Sequence, residues 1–123
     1  VTRYPTLRDA LVVVEHGGWV VRDIGLLDSV VQRPRSVMYG TELYPGLHLK
    51  AAAMLDSANR LHPLVDGNKR LSLVLADVFY AMNGRRLESG QDEMVELILT
   101  IASDHLPLED IATWLAAHAS PLA

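Results

Sequence analysis

His62-Pro63-Leu64-Val65-Asp66-Gly67-Asn68-Lys69-Arg70 leads directly into Leu71-Ser72-Leu73-Val74-Leu75-Ala76-Asp77-Val78-Phe79-Tyr80-Ala81-Met82. The first part reads as a loop, because Pro63 removes an amide donor and disfavours helical geometry at His62. The second reads as a helix from about Gly67 to Met82, with Asn83-Gly84 as its C-terminal cap. That helix is apolar nearly all the way round, which predicts that it is the buried centre of the fold.

Working outward, a helix is predicted from about Gly46 to Leu61. Its stripe is Leu47, Ala51, Met54, Leu55, Ala58 and Leu61. Thr6 is placed to cap a helix reaching about His16, which Gly17-Gly18 ends. Asp23 is placed to cap a helix from Ile24 to about Gln32, with Pro34 as the stop. Between Arg35 and Pro45, β-branched and aromatic residues allow an extended flap or a small hairpin. Downstream, helices are predicted over about Gln91 to Ser103 and Pro107 to Ala119, with Pro107 suited to a first helical position. Six helices and no evident strands beyond the flap predict an all-α fold. The expectation is one compact bundle over 1–123, with its core at about 7–118.

The composition agrees. The chain has 123 residues, half of them hydrophobic and 21% charged, which is an ordinary globular balance. A net charge of −4 makes a broad basic face for nucleic acid a poor expectation. Cysteine is absent, so neither a disulfide framework nor a cysteine metal site is available. No apolar run reaches membrane-spanning length, and Val1-Thr2-Arg3-Tyr4-Pro5 does not read as a signal peptide. The expected location is the cytoplasm.

The opening stretch also carries chemistry. The first turn of a helix has unpaired amide donors and a partial positive charge. Gly67 lets a ligand approach that backbone closely. Lys69 and Arg70 add two cations where cations cost a few tenths to about 1 kcal/mol each. Their placement makes sense if an anion sits there, and phosphate is the obvious one. Asp66 lies just before the anion site, where a carboxylate needs an intervening cation such as Mg²⁺. His62 suits a general base for a substrate hydroxyl. Base, metal ligand, anion cradle and two cations together point to phosphoryl or nucleotidyl transfer. The bland alternative is a polar loop in which Asp66 merely caps the helix.

The segment resembles the H-x-F-x-[D/E]-G-N-G-R signature of the Fic/Doc family, and more closely the H-x-F-x-x-[A/G]-N-K-R form of its Doc members. His62, Asp66, Gly67, Asn68, Lys69 and Arg70 match the Doc form. Val21 to Ser29 followed by Arg33-Pro34, then Leu43-Tyr44-Pro45 and Lys50-Ala51-Ala52-Ala53, extend the resemblance over about 7–118. It implies that His62 is the catalytic base and Asp66 the Mg²⁺ ligand. Asn68, Lys69, Arg70 and the Gly67 backbone would hold ATP phosphates. It further implies transfer of the γ-phosphate to a Ser or Thr hydroxyl on elongation factor Tu, arresting translation. The partner would be a Phd-type antitoxin whose disordered tail folds into an apolar groove near the flap and third helix.

Two departures bear on this. Leu64 stands where the family has an inward-packing Phe, and Leu73 replaces the second Arg of the longer Fic signature. Lys69 stands where AMP-transferring members have Gly, which favours donation of the γ-phosphate. The competing readings are an AMP-transferring enzyme and a catalytically silent binding module. Arg60 has two readings, one facing the flap and acceptor, the other a surface ion pair. Met38, Tyr39 and Tyr44 are candidate acceptor contacts or plain packing. Trp19 and Trp114 are expected to be packing residues. His16, His48, His105 and His118 lack any functional context.

Overall fold

The computed structural model describes residues 1–88, 90–104 and 106–122, so the reading of His105 falls outside it. Helix α1 spans Leu7–Gly17. Thr6 caps it reciprocally with Asp9: the Asp9 amide donates to Thr6 Oγ1 at 3.1 Å, and the Thr6 amide donates to Asp9 Oδ2 at 2.8 Å. Helix α2, Ile24–Gln32, begins where Asp23 Oδ1 accepts from the Leu26 amide at 3.0 Å. A single 3-10 turn at Arg33–Arg35 then redirects the chain.

The flap is a hairpin. Strand β1, Val37–Met38, pairs antiparallel with β2, Thr41–Glu42, and every strand residue is exposed. Tyr39 and Gly40 form the turn, both with positive φ (51° and 77°), the twist a two-residue hairpin loop favours.

Helix α3 covers Leu47–Leu61 and α4 covers Asn68–Met82. The sequence pattern assigned the buried centre to α4, and the structure assigns it to α3. Residues 50 to 59 of α3 are buried without a break, and α3 packs against α2, the 3-10 turn, α4, α5 (Gln91–Asp104) and α6 (Leu108–His118). Helix α4 buries Leu71, Ser72, Leu75, Ala76, Phe79 and Tyr80, but Val74 is 37% exposed. The reason is that α3 hides its polar residues by pairing them, and paired charges can be buried. Lys50 Nζ donates to the Tyr44 carbonyl at 2.6 Å and pairs with Glu42 at 3.2 Å. Asp56 takes Arg33 and Arg60 on its two oxygens, at 3.0 and 2.7 Å. Ala51, Ala52 and Ala53, all fully buried, let neighbouring elements come close.

A second small sheet lies beyond the flap, where the sequence pattern placed no strands. Strand β3, Arg85–Leu87, pairs antiparallel with β4, Ala119–Pro121, tying the end of α6 to the end of α4. Segments of three residues carry no alternation to read, and they exist through their pairing. Pro107 occupies the position before α6 rather than its first helical residue. The fold is all-α, with only these two-stranded sheets added among the described residues. Among those residues no helix is long and apolar enough to cross a membrane.

Candidate active site

The loop between α3 and α4 walls a cavity of about 550 Å³. Trp19, Asn59, His62, Val65, Asp66, Gly67, Asn68, Lys69 and Arg70 line it. The structure therefore brings together all six residues that matched the signature.

The loop is fixed from both sides. On the inside, Leu64 is 1% exposed and belongs to the main core, the anchoring role in which the family uses a larger Phe. On the outside, the linker between α1 and α2 pairs with the loop like a short strand. The Arg22 and Asp23 amides donate to the Pro63 carbonyl at 2.8 and 3.1 Å, and the Val65 amide donates to the Val20 carbonyl at 2.9 Å. The Arg22 side chain donates from Nε to the His62 carbonyl at 2.8 Å and from a terminal nitrogen to the Leu61 carbonyl at 2.9 Å.

His62 ends α3 in the left-handed conformation, φ 50° and ψ 60°, with its side chain exposed at the cavity. Asp66 is exposed, and its Oδ1 accepts from the Gly67 amide at 2.9 Å. Gly67 itself takes the N-cap position of α4 at φ 94°, and no side chain caps that helix. The polar-loop alternative with Asp66 as N-cap is thus not what forms. The leading amides of α4 keep their donors for a ligand.

Gly67 is required on two further counts. Its φ favours glycine, and a Cβ there would meet the Trp19 ring at 2.7 Å. Gly17 meets the same ring from the end of α1, where a Cβ would lie 2.6 Å from it. Trp19 packs against the core as expected and also forms part of the cavity wall.

Asn68 commits its side chain to the loop: Oδ1 accepts from the Leu64 amide at 2.8 Å, and Nδ2 donates to the Leu64 carbonyl at 3.1 Å. That leaves its main-chain amide and one Nδ2 hydrogen outside the clamp. Lys69 and Arg70 are exposed on the first turn, and among the described residues neither takes part in an ion pair.

Arg60 pairs with Asp56 and lines a separate cavity of about 470 Å³ with Ser29, Gln32, Arg33, Ser36, Ser57 and Leu61. This groove lies beside the start of the flap and α3. Its lining residues are mostly polar by type, yet most of the surface they turn toward the groove is apolar, in keeping with the groove expected there. Arg33 holds its wall together, donating to Tyr44 Oη, the Ala53 carbonyl, Asp56 and Ser57 Oγ. Burial disfavours the Arg33 charge, but the bonds to Tyr44 and Asp56 more than offset it and hold its pKa above the ordinary value. Tyr44 is thereby a tether of the flap, whereas Met38 and Tyr39 are exposed.

The remaining histidines lie elsewhere. His48 Nδ1 bonds Tyr80 Oη at 2.8 Å, and burial, with a smaller effect from Arg85, pulls its pKa down. His118 stacks on Trp114 with ring centres 3.9 Å apart.

Sequence reasoning missed Arg22 and Trp19 as site residues. The signal was present in Gly17-Gly18-Trp19, a run of small residues beside a large ring, but its partner is nearly fifty residues away.

A helical domain with an exposed histidine and carboxylate beside an uncapped helix start, bearing two cations outside every described ion pair, defines a class. It is that of small proteins that handle nucleotide-derived groups at a loop-to-helix site. The chain belongs to the Fic/Doc family: its residues 5–80 match the model of the Fic/DOC family. It is also 40% identical over 124 aligned positions to the protein named Toxin Doc of Mycolicibacterium smegmatis (strain ATCC 700084 / mc(2)155), covering 97% of this chain and 95% of that one.

Proposed function

We propose that this protein is the toxin of a toxin–antitoxin pair. It transfers the γ-phosphate of ATP to a Ser or Thr hydroxyl of a translation factor, with elongation factor Tu as the acceptor to test first. The observation that carries the reading is the start of α4: an uncapped helix N-terminus with Lys69 and Arg70 exposed and outside every described ion pair. Such an arrangement is unfavourable without an anion and favourable with one.

In this reading Lys69, Arg70 and the leading amides of α4 hold the phosphates. Asn68 acts through the loop, whose shape it clamps. The exposed Asp66 carboxylate, next to those cations, is a fitting donor for a hard divalent cation, and Mg²⁺ held there would supply neutralisation of the phosphate charge. His62 takes the proton of the acceptor hydroxyl. The oxygen attacks the γ-phosphorus, the bond to the bridging oxygen breaks, and ADP leaves. Lys69 favours the γ- over the α-phosphate because it fills space that AMP transfer needs and clamps terminal phosphates. The antitoxin, of Phd type, would bind by folding a flexible tail onto the groove beside the flap.

The test is two parallel reactions of the purified protein with Mg²⁺, elongation factor Tu and either γ- or α-labelled ATP. The expected result is γ-label on the acceptor, lost in Asp66→Ala together with Mg²⁺-dependent ATP binding. Acceptor carrying only α-label would replace the kinase by an AMP transferase. Growth arrest persisting in a His62→Ala, Asp66→Ala double variant would indicate a binding module.

A further inference from the structure

We propose that Arg22 is the positioning residue for His62: it completes the end of α3 and so holds the histidine at the angle from which it serves the cavity. The inference rests on the reading of His62 as the base.

The last carbonyls of a helix lack intrahelical partners. They are normally satisfied by amides of the residues that follow in a left-handed turn. At α3 that solution is blocked. His62 takes the left-handed turn, and the next residue, Pro63, has no amide hydrogen with which to close the motif. The Arg22 guanidinium holds this end from outside the helix, with one nitrogen on the Leu61 carbonyl and another on the His62 carbonyl. Its planar fork spans two successive acceptors, which a lysine ammonium cannot do in a fixed geometry. Its charge is favourable at a helix C-terminus.

Arg22 is itself well anchored. Its amide donates to the Pro63 carbonyl, and the adjacent Asp23 caps α2. The guanidinium thus links a rigid helix start to the backbone of the histidine. A left-handed conformation is strained for a residue with a Cβ and persists only where surrounding contacts over-determine it. At His62 the pair of Arg22 side-chain bonds joins the main-chain bonds to Pro63 and Val65 in that determination, and of these it alone reaches the His62 carbonyl. Arg22 is exposed and does not line the cavity, so it acts through His62 and touches no substrate.

The test uses the full chain as Arg22→Ala and Arg22→Lys. Because exposed hydrogen bonds contribute little to global stability, Arg22→Ala should fold and melt close to the parent. Misplacing a base by a fraction of an ångström to an ångström predicts a fall in kcat of about 10- to 100-fold, with KM for ATP within about twofold. Methylguanidinium in solution should restore several-fold of the lost rate in Arg22→Ala and none in His62→Ala, and Arg22→Lys should fall between parent and Arg22→Ala.

A readout independent of turnover is the NMR signal of the His62 ring, expected as one set in the parent and broadened or split in Arg22→Ala. A parent without phosphate transfer would end the functional reading, and the ring signals alone would then judge Arg22. Parent-like kcat with unchanged ring signals overturns the proposal. So does a loss in which kcat, KM and melting temperature all move together and methylguanidinium restores nothing.

Discussion

Helices α1 and α3 both end in a left-handed residue, and they reach that ending by different means. At α1 the residue is Gly18, with φ 70°. The Gly18 amide donates to the Glu15 carbonyl, and the Trp19 amide donates to the Val14 carbonyl, each at 3.1 Å. Glycine has no Cβ to strain, and the chain caps itself. At α3 the residue is His62, followed by Pro63, and the side chain that bonds the carbonyls of this ending is Arg22, forty residues away in sequence. One end is local and relaxed. The other is strained and held from a distance, and it is the end that carries the candidate base. The comparison shows where the fold accepts a local cost: at the residue that has to face the cavity.

The largest effect should come from making α3 end as α1 does. His62→Gly removes the candidate base while relieving the left-handed strain, which is about 1–2 kcal/mol for a residue with a Cβ. Phosphate transfer should fall by about a hundredfold or more, the usual contribution of a positioned base. The melting temperature should stay at or above that of the parent. A clear drop in melting temperature would mean that the imidazole itself holds the loop, and the contrast between the two ends would lose its functional meaning.

The reverse exchange should be smaller and should leave activity alone. In Gly18→Ala the new methyl meets nothing within 4 Å, so the cost is conformational only. We expect about 1 kcal/mol of lost stability. Thermal melting gives the first quantity, and transfer of γ-label, expected to be unchanged, gives the second. A loss of transfer comparable to that of His62→Gly would show that the α1 ending also sets the site, through Trp19.

The same contrast explains what could be read from the chain beforehand. Local solutions were legible: Thr6 and Asp23 as caps, Gly17-Gly18 as a stop, and the loop-to-helix stretch from His62 to Arg70. Each is decided within a few neighbouring residues. The central position of α3 was not legible, because Lys50, Asp56, Ser57 and Asn59 are polar residues whose burial depends on distant partners, Arg33 and Glu42 among them. Arg22 and Trp19 escaped for the same reason: what they touch lies about forty to fifty residues away, and nothing in their own neighbourhood marks it.

The smallest effect, and the sharpest comparison, lies at Pro63. If Arg22 holds from outside a turn that Pro63 cannot close with an amide of its own, then restoring that hydrogen should lessen the dependence, although the new amide would reach an earlier carbonyl than those Arg22 bonds. Pro63→Ala adds a donor at the position where Trp19 serves α1. The single change has opposing consequences, since the loop gains a donor while the unfolded chain gains freedom. Its own effect on stability is therefore a poor measure. The useful quantity is the cost of Arg22→Ala measured in the parent and again in the Pro63→Ala background, because the unfolded-state term cancels across such a cycle. We expect Arg22→Ala to cost less in the Pro63→Ala background, by about 0.5 kcal/mol in denaturant melts, the lower end of what contacting residues show. The fall in kcat caused by Arg22→Ala should shrink in parallel. Strict additivity in both stability and rate would mean that the missing amide and the arginine fork are unrelated, and that Arg22 serves the loop for some reason other than the proline.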